Sequence, residues 1–280
     1  AKGYASIEVA LKDVDYFHWP VIVKPVDSAG SKGVSRVDTP EALLEAVSYA
    51  LSEAHNGHFI IEDFLDKKGC STDSDCFSIN GKLAFCSFSD QKFDLDADNP
   101  YTPAAYSWPS TMPKYAKEEL TNELQRLMTL LHVKTGVYNV ETRLCTNGKP
   151  YIMELSPRGG GNRLSEMLRY ITHTDLIDNA VLNAVGEKIE EIQQPCYDGC
   201  LAEIILHSDK SGIFRKLIID KEFEKQFVIE KDLWVENGDK VEGFTGANKA
   251  IGTLALHFSS HQELEENVQY YKNKITIIVD

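Results

Sequence analysis

Glu141 and Glu154 flank an Asn147-Gly148 pair in the stretch GVYNVETRLCTNGKPYIMELSPRGGGNR, which runs from Gly136 to Arg163. Asn-Gly favours a two-residue type I′ hairpin turn, because both central residues take positive φ. Such a turn pairs Thr146 with Lys149. Counting outward, Glu141 falls opposite Glu154 and Asn139 opposite Ser156. Strand alternation then puts these four on one face, and Val140, Leu144, Tyr151, Met153 and Leu155 on the other. Carboxylates directly opposite each other repel and destabilise a sheet. A cation held between them removes that cost, and oxygen ligands point to Mg2+ or Mn2+ rather than zinc. The competing reading is an exposed face where both glutamates reach water. The hairpin runs into Pro157-Arg158-Gly159-Gly160-Gly161-Asn162-Arg163 and then a helical pattern, Leu164 to Tyr170. Glycines ahead of a helix N-terminus can offer free amides to an anion. Arg158 and Arg163 could grip a carboxylate or phosphate in bidentate fashion. The plainer alternative is a turn whose arginines pair with surface acids.

A second stretch lies upstream. Val21-Ile22-Val23-Lys24-Pro25 reads as a buried strand that ends in a lysine. Small residues follow, Asp27-Ser28-Ala29-Gly30-Ser31-Lys32-Gly33, and then a short strand, Val34 to Val37. Backbone amides in such a loop can cup a phosphate, and Lys24 could reach the same anion as a point charge. A flexible surface turn explains the loop equally simply. Thr39-Pro40-Glu41 opens a helix with Leu43, Leu44, Val47 and Leu51 on one face. Phe59-Ile60-Ile61 is a strand that leads to Glu62-Asp63-Phe64-Leu65. Extended backbone there could face a purine edge, or Glu62 and Asp63 could form a solvated strand end.

The remaining chain supplies the frame. Residues 66–75 read as a polar loop, and Asn80-Gly81 as a second hairpin turn. Residues 90–114 hold Pro100, Pro103, Pro109 and Pro113 with Tyr101, Tyr106 and Trp108. So long an irregular segment is often a lid or binding loop, with a packed surface excursion as the equal alternative, and Lys92 is a candidate substrate contact within it. Ala116 to Val133 is helical, with Leu120, Leu124, Leu127 and Leu131 inward; Thr174 to Val185 is another helix. Pro195 to Gly199 looks like a boundary, followed by strands at 201–207, 214–219, 227–230, 251–258 and 275–279 and a helix at 262–271.

The 280 residues carry a net charge of −14, which argues against a nucleic-acid surface. Nucleotides need only a few local cations and are not excluded. No apolar run is long enough to span a membrane. The six cysteines form no C-x-x-C pair, so reduced thiols in a cytoplasmic protein are expected.

VIVKPVDSAGSKGVSRV (21–37), FIIEDFL (59–65), GVYNVETR (136–143) and YIMELSPRGGG (151–161) together resemble the ATP-grasp superfamily. The likeness covers roughly Trp19 to Gly186. It is greatest to carboxylate–amine ligases acting on amino acids, and more distant to carbamoyl-phosphate synthase large subunits. The resemblance implies an α+β fold in which two lobes clasp a nucleotide. Residues 1–65 would form the small lobe, 66–194 the large lobe, and 195–280 a C-terminal α+β lobe. It implies ATP and Mg2+ (or Mn2+) as cofactors. Lys24 would lie on the α- and β-phosphates, and Ser28, Ala29, Gly30, Ser31, Lys32 and Gly33 over the triphosphate. Glu62 would accept from the adenine amino group, with Asp63, Phe64 and Leu65 beside it. Glu141, Glu154 and Ser156 would hold the metal, although Ser156 stands where the family more usually has Asn. Arg158, with Lys24, would be catalytic, and Arg158, Gly159, Gly160, Gly161 and Arg163 would contact substrate. The family's ribose-contacting glutamate has no clear counterpart among Cys70-Ser71-Thr72-Asp73. The sequence opens Ala1-Lys2-Gly3, and the family's preceding domain is absent, so the chain is expected to start inside the enzyme.

The implied reaction activates a carboxylate as an acyl-phosphate and forms an amide with an amine. The alternatives are a bicarbonate-activating carboxylase or carbamoyl-phosphate-type enzyme, and an ATP-binding fragment without activity of its own. Expected partners are small-molecule carboxylate and amine substrates, with a homodimer left open.

Overall fold

The computed structural model describes residues 1–28, 32–97, 99, 102–268 and 271–280. These divide into two compact units, Ala1–Asp66 and Lys67–Asp280. Ala29, Gly30 and Ser31 of the expected phosphate loop lie outside the described residues.

The first unit is a four-stranded antiparallel sheet in the order β1-β4-β2-β3, built from β1 (Lys2–Tyr4), β2 (Val21–Pro25), β3 (Ser35–Val37) and β4 (Phe59–Asp63). Two helices, α1 (Ile7–Lys12) and α2 (Leu43–Glu53), pack with it. Val21, Val23, Phe59 and Ile61 from the strands meet Leu43, Ala46, Val47 and Ala50 of α2 in its core. Leu44, expected inward, is exposed, because the buried face of α2 runs through Leu43, Ala46, Val47 and Ala50, at i, i+3, i+4 and i+7. Gly33 has a φ of +72°, and a Cβ there would lie 3.0 Å from both Pro25 Cδ and Glu53 Cβ. Glycine at this position therefore lets the chain turn tightly against β2.

The second unit is organised on a large sheet. Its strands are β5 (Lys67–Ile79), β6 (Lys82–Cys86), β7 (Asp90–Phe93), β8 (Pro103–Trp108), β9 (Gly136–Cys145), β10 (Pro150–Ser156), β11 (Cys200–Leu206), β13 (Val228–Leu233) and β15 (Gly252–Phe258). They run β10-β9-β5-β7-β8-β11-β15-β13, with β6 paired to β5. A smaller sheet joins β12 (Gly212–Ile219), β14 (Lys240–Val241) and β16 (Ile275–Val279). On one face of the large sheet, α3 (Lys114–Leu130) buries Leu120, Leu124 and Met128 against Tyr138, Val140 and Leu144. Each such side chain contributes about 1.5–3 kcal/mol of burial. Leu131, expected inward, lies beyond the helix and is exposed. On the other face, α4 (Leu164–Thr172) packs Leu164, Met167, Leu168 and Ile171 against Phe77, Tyr106, Trp108, Leu201 and Ile205. Helices α5 (Leu176–Ala184), α6 (Lys221–Phe227) and α7 (His261–Val268) complete the unit.

Three expectations are corrected here. Residues 66–75 are not a loop but most of β5, the longest strand of the sheet. Of the proline-rich segment, Pro100 and Tyr101 lie outside the described residues, and the described part supplies β7 and β8 rather than a lid, with Tyr106 and Trp108 as core residues. Lys92 is paired with Glu265 at 2.8 Å rather than held out for a substrate. The second hairpin turn is as expected, with Asn80 and Gly81 at φ of 52° and 80°.

Candidate functional site

The hairpin β9–β10 places Glu141 directly opposite Glu154, and Asn139 opposite Ser156. The route to that register differs from the one read in the sequence. The Cys145 amide donates to Lys149, and the Gly148 amide donates back to Cys145. The loop therefore has three residues, with Gly148 at a φ of 79°. That shifts the pairing by one, and a bulge between Ile152 and Glu154 shifts it back. The shifted register turns Ile152, rather than Tyr151, to the core, and the bulge after it brings Leu155 to the same side.

Strand β5 extends this polar face. Asp73 pairs with Glu141, and Asp75 with Asn139. One rung across three strands thus reads Asp73–Glu141–Glu154, and the next reads Asp75–Asn139–Ser156. Three carboxylates side by side in one rung repel strongly. Burial, with the Glu141 and Asp75 carboxylates adding to it, raises Asp73 to about 7 against donation from Asn139. Asn139 Nδ2 bonds Asp73 Oδ1 at 2.7 Å and Asp75 Oδ1 at 3.2 Å. Ser156 Oγ donates to the exposed Glu154 at 2.8 Å. The donor set is all oxygen on this face, which suits a hard divalent cation. Sequence reading passed over Asp73 and Asp75. Their signal was present as the period-two alternation Ser71, Asp73, Asp75 opposite Arg143, Glu141, Asn139.

The glycine-rich turn lies beside this face. Arg158 is exposed and donates through Nη1 to the Gly159 carbonyl at 2.8 Å. The Gly160 amide donates to Asp75 at 2.8 Å. It is therefore committed within the protein and does not offer itself to a substrate anion. Arg163 is committed too. It pairs with Glu166 at 2.5 Å, Glu230 at 2.6 Å and Asp232 at 3.5 Å, and donates to Thr253 at 3.0 Å. Burial lowers its pKa, but Glu166 and Glu230 outweigh that and raise it further. Asn162 donates to the Tyr106 hydroxyl at 3.0 Å.

In the first unit, Lys24 Nζ lies 2.8 Å from Glu62 Oε2, with about a quarter of each side chain exposed. The two expected nucleotide contacts thus hold each other on neighbouring strands β2 and β4. Asp63 accepts from the His18 amide at 3.2 Å. The Phe64 amide bonds Pro20, and its ring lies 4.4 Å under the Arg36 guanidinium.

Elsewhere, Asp94, His207 and Asp209 bring three ligand-type atoms together. Lys272 Nζ, 2.5 Å from Asp94 and 3.9 Å from Asp209, already supplies a cation there. None of the six cysteines is joined in a disulfide among the described residues.

Residues 17–166 match the family model of the ATP-grasp domain. The chain belongs to the ATP-grasp family. The motif order of the sequence resemblance thus stands, and so does the α+β ATP-grasp fold. One relative is the formate-dependent phosphoribosylglycinamide formyltransferase of Synechococcus sp., 31% identical over 212 residues, or 74% of this chain and 51% of that one. Among solved structures, the L-amino acid ligase from Bacillus licheniformis aligns with a TM-score of 0.76 and 22% identity, over 96% of this chain and 66% of that one. The biotin carboxylase domain of 2-oxoglutarate carboxylase from Hydrogenobacter thermophilus, solved with MgADP and bicarbonate, aligns with a TM-score of 0.78 and 14% identity, over 98% and 61%. At these identities the structural likenesses speak for the fold. The ATP-grasp chain spans between about a quarter and half the length of the curated relatives it matches. Among the described residues, no helix is long and apolar enough to cross a membrane.

Proposed function

We propose that this chain carries the nucleotide and metal machinery of an ATP-dependent carboxylate–amine ligase. The observation that carries the reading is the opposed pair Glu141 and Glu154, set within an ATP-grasp domain beside the exposed Arg158. Glu141, Glu154 and Ser156 hold Mg2+ (Mn2+ serving as well), which when bound neutralises phosphate charge. Lys24 exchanges Glu62 for the nucleotide phosphates, and Glu62, released, accepts from the adenine amino group. Asp63, Phe64 and Leu65 continue the purine-facing segment, and Ser28 to Gly33 cover the phosphates. Arg158 stabilises charge on the transferring phosphoryl group.

In the reaction, a substrate carboxylate oxygen attacks the γ-phosphorus and ADP leaves, giving an acyl-phosphate. The amine then attacks the acyl carbon; the C–O bond to phosphate breaks, a C–N bond forms, and the amine gives up a proton. The chain's residues align the reactants and balance charge, with no covalent nucleophile of their own. Amino acids are the proposed substrate class. The names of the L-amino acid ligase and of the D-alanine–D-alanine ligase relative from Parabacteroides distasonis support that choice.

A thermal-shift titration with ADP and Mg2+, followed by ADP release with L-amino acids and hydroxylamine as the amine, tests the reading. A raised midpoint that needs Mg2+, together with ADP release that needs both an acid and the amine, is expected. Glu154→Gln should abolish the Mg2+-dependent rise in midpoint and the turnover. Full turnover in that variant would remove the metal assignment.

A further inference from the structure

Asp75 has no exposed surface and takes no part in the chemistry above. Its carboxylate nevertheless accepts three hydrogen bonds. Oδ1 accepts from the Gly160 amide at 2.8 Å and from Asn139 Nδ2 at 3.2 Å, and Oδ2 accepts from the Ser165 hydroxyl. The three donors come from three places: the glycine turn, strand β9 and the first turn of α4. A buried carboxylate is costly unless donors fill its acceptor sites, so the four groups hold one another in place.

The fit around Gly160 is equally close. A Cβ on Gly160 would lie 2.6 Å from Asn139 Nδ2 and from Leu164 Cδ1, and 3.0 Å from Asp75 Oδ1. The turn is therefore pressed onto the rung Asp75–Asn139–Ser156, one step along the face from Glu141 and Glu154. Arg158 sits midway between Ser156 and Gly160, and its amide is itself tied to the Ser156 carbonyl at 2.9 Å. Both ends of the short segment that carries Arg158 are thereby anchored to the metal-side rungs.

We propose that Asp75 is a positioning residue: it anchors the glycine turn and so fixes Arg158 relative to the opposed glutamates. The glycines then serve as a mount that lets the turn approach the carboxylate, and Gly160 is not part of an anion cradle. The effect on turnover rests on the ligase reading; the anchoring of the turn does not.

Asparagine can replace the carboxylate here. Its Oδ1 can accept from Gly160 and Asn139, and its amide can donate to the Ser165 oxygen, which accepts as readily as it donates. Alanine removes every contact. The test compares Asp75→Ala, Asp75→Asn and Gly160→Ala in two readouts, hydrogen exchange of the Gly160 backbone amide (the residue-160 amide in Gly160→Ala) and steady-state ADP release. Asp75→Ala and Gly160→Ala should speed exchange at least tenfold, and lower kcat about a hundredfold with KM for ATP within about twofold, since a misplaced contact group costs that order of rate. Asp75→Asn should stay within about threefold of the wild type in both. Unchanged protection of Gly160 in Asp75→Ala would overturn the proposal. So would an asparagine variant as damaged as alanine, or a KM for ATP that rises in step with the loss of kcat. A wild type that releases no ADP removes the ligase reading, and the exchange arm still decides whether Asp75 holds the turn. Should Asp75→Ala not fold, Ser165→Ala, which deletes a single donor, is expected to speed Gly160 exchange and is overturned by the same null result.

Discussion

Glu203→Gln should change how the stability of this chain depends on pH. Glu203, in the middle of β11, has no exposed surface, and neither of its carboxylate oxygens has a hydrogen-bond partner among the described residues. Its position is between Tyr106 on β8 and Ala255 on β15. Desolvation raises its pKa well above the ordinary glutamate value; Arg163 opposes the shift, and Glu166 and Glu230 add to it. The folded chain therefore binds this proton more tightly than the unfolded chain does. The stabilisation is complete below the unfolded pKa, roughly 4.3, and is lost as pH rises towards the folded value. Within that window the cost grows with pH, by at most about 1.4 kcal/mol per pH unit. Glutamine carries no titrating proton, but it buries an amide that costs about the same at every pH. The absolute stabilities of the two proteins are thus a poor test, and the pH slope of their difference is a good one. Urea unfolding of wild type and Glu203→Gln at pH 5, 6 and 7 measures it. A stability difference that stays constant across the three pH values would refute the reasoning.

Three further outcomes follow from the same structure. Asp73, raised to about 7, should also favour the folded state when protonated, with that contribution lost as pH rises through 7. Carboxyl 13C NMR without metal should show an aspartate titrating near there, absent from Asp73→Asn. Arg163→Met should cost about 2–4 kcal/mol in chemical denaturation, because it leaves Glu166 and Glu230 facing each other in a partly buried setting; a loss below about 0.5 kcal/mol would mean that the ion network is merely a surface one. Gly81→Ala should destabilise by about 1–3 kcal/mol, since a Cβ there would lie 2.9 Å from the Val133 carbonyl at a φ of +80°. Differential scanning calorimetry reads that change directly.

The face-to-face glutamates were legible in the sequence, but for a reason that was half right. The Asn-Gly pair announced a hairpin, and the hairpin is there. It did not announce a three-residue loop, and nothing in Tyr151-Ile152-Met153 marks the bulge that restores the register. Strand β5 was hidden by its own role. A strand that serves a polar site carries Ser, Thr and Asp where a simple pattern expects apolar residues, so Ser71 to Asp75 read as a loop. Prolines misled in the segment after it, because Pro103 opens β8 and Pro109 follows it rather than breaking a strand. Arg163 looked like a free cation beside the glycines; its partners Glu230 and Asp232 lie far along the chain, and only the fold brings them together. The motif order, which depends on no single register, carried the family reading.

The composition near Pro195 suggests a place to cut, yet β8 and β11 are hydrogen-bonded neighbours on either side of it. Removing everything beyond residue 195 would not release a free-standing lobe. It would strip the partner from β8 along Ala105, Tyr106, Ser107 and Trp108, and bare an apolar strand edge in the middle of a sheet. Such an edge recruits other chains, so a shortened version of this protein would be a precursor to aggregates rather than a smaller folded unit.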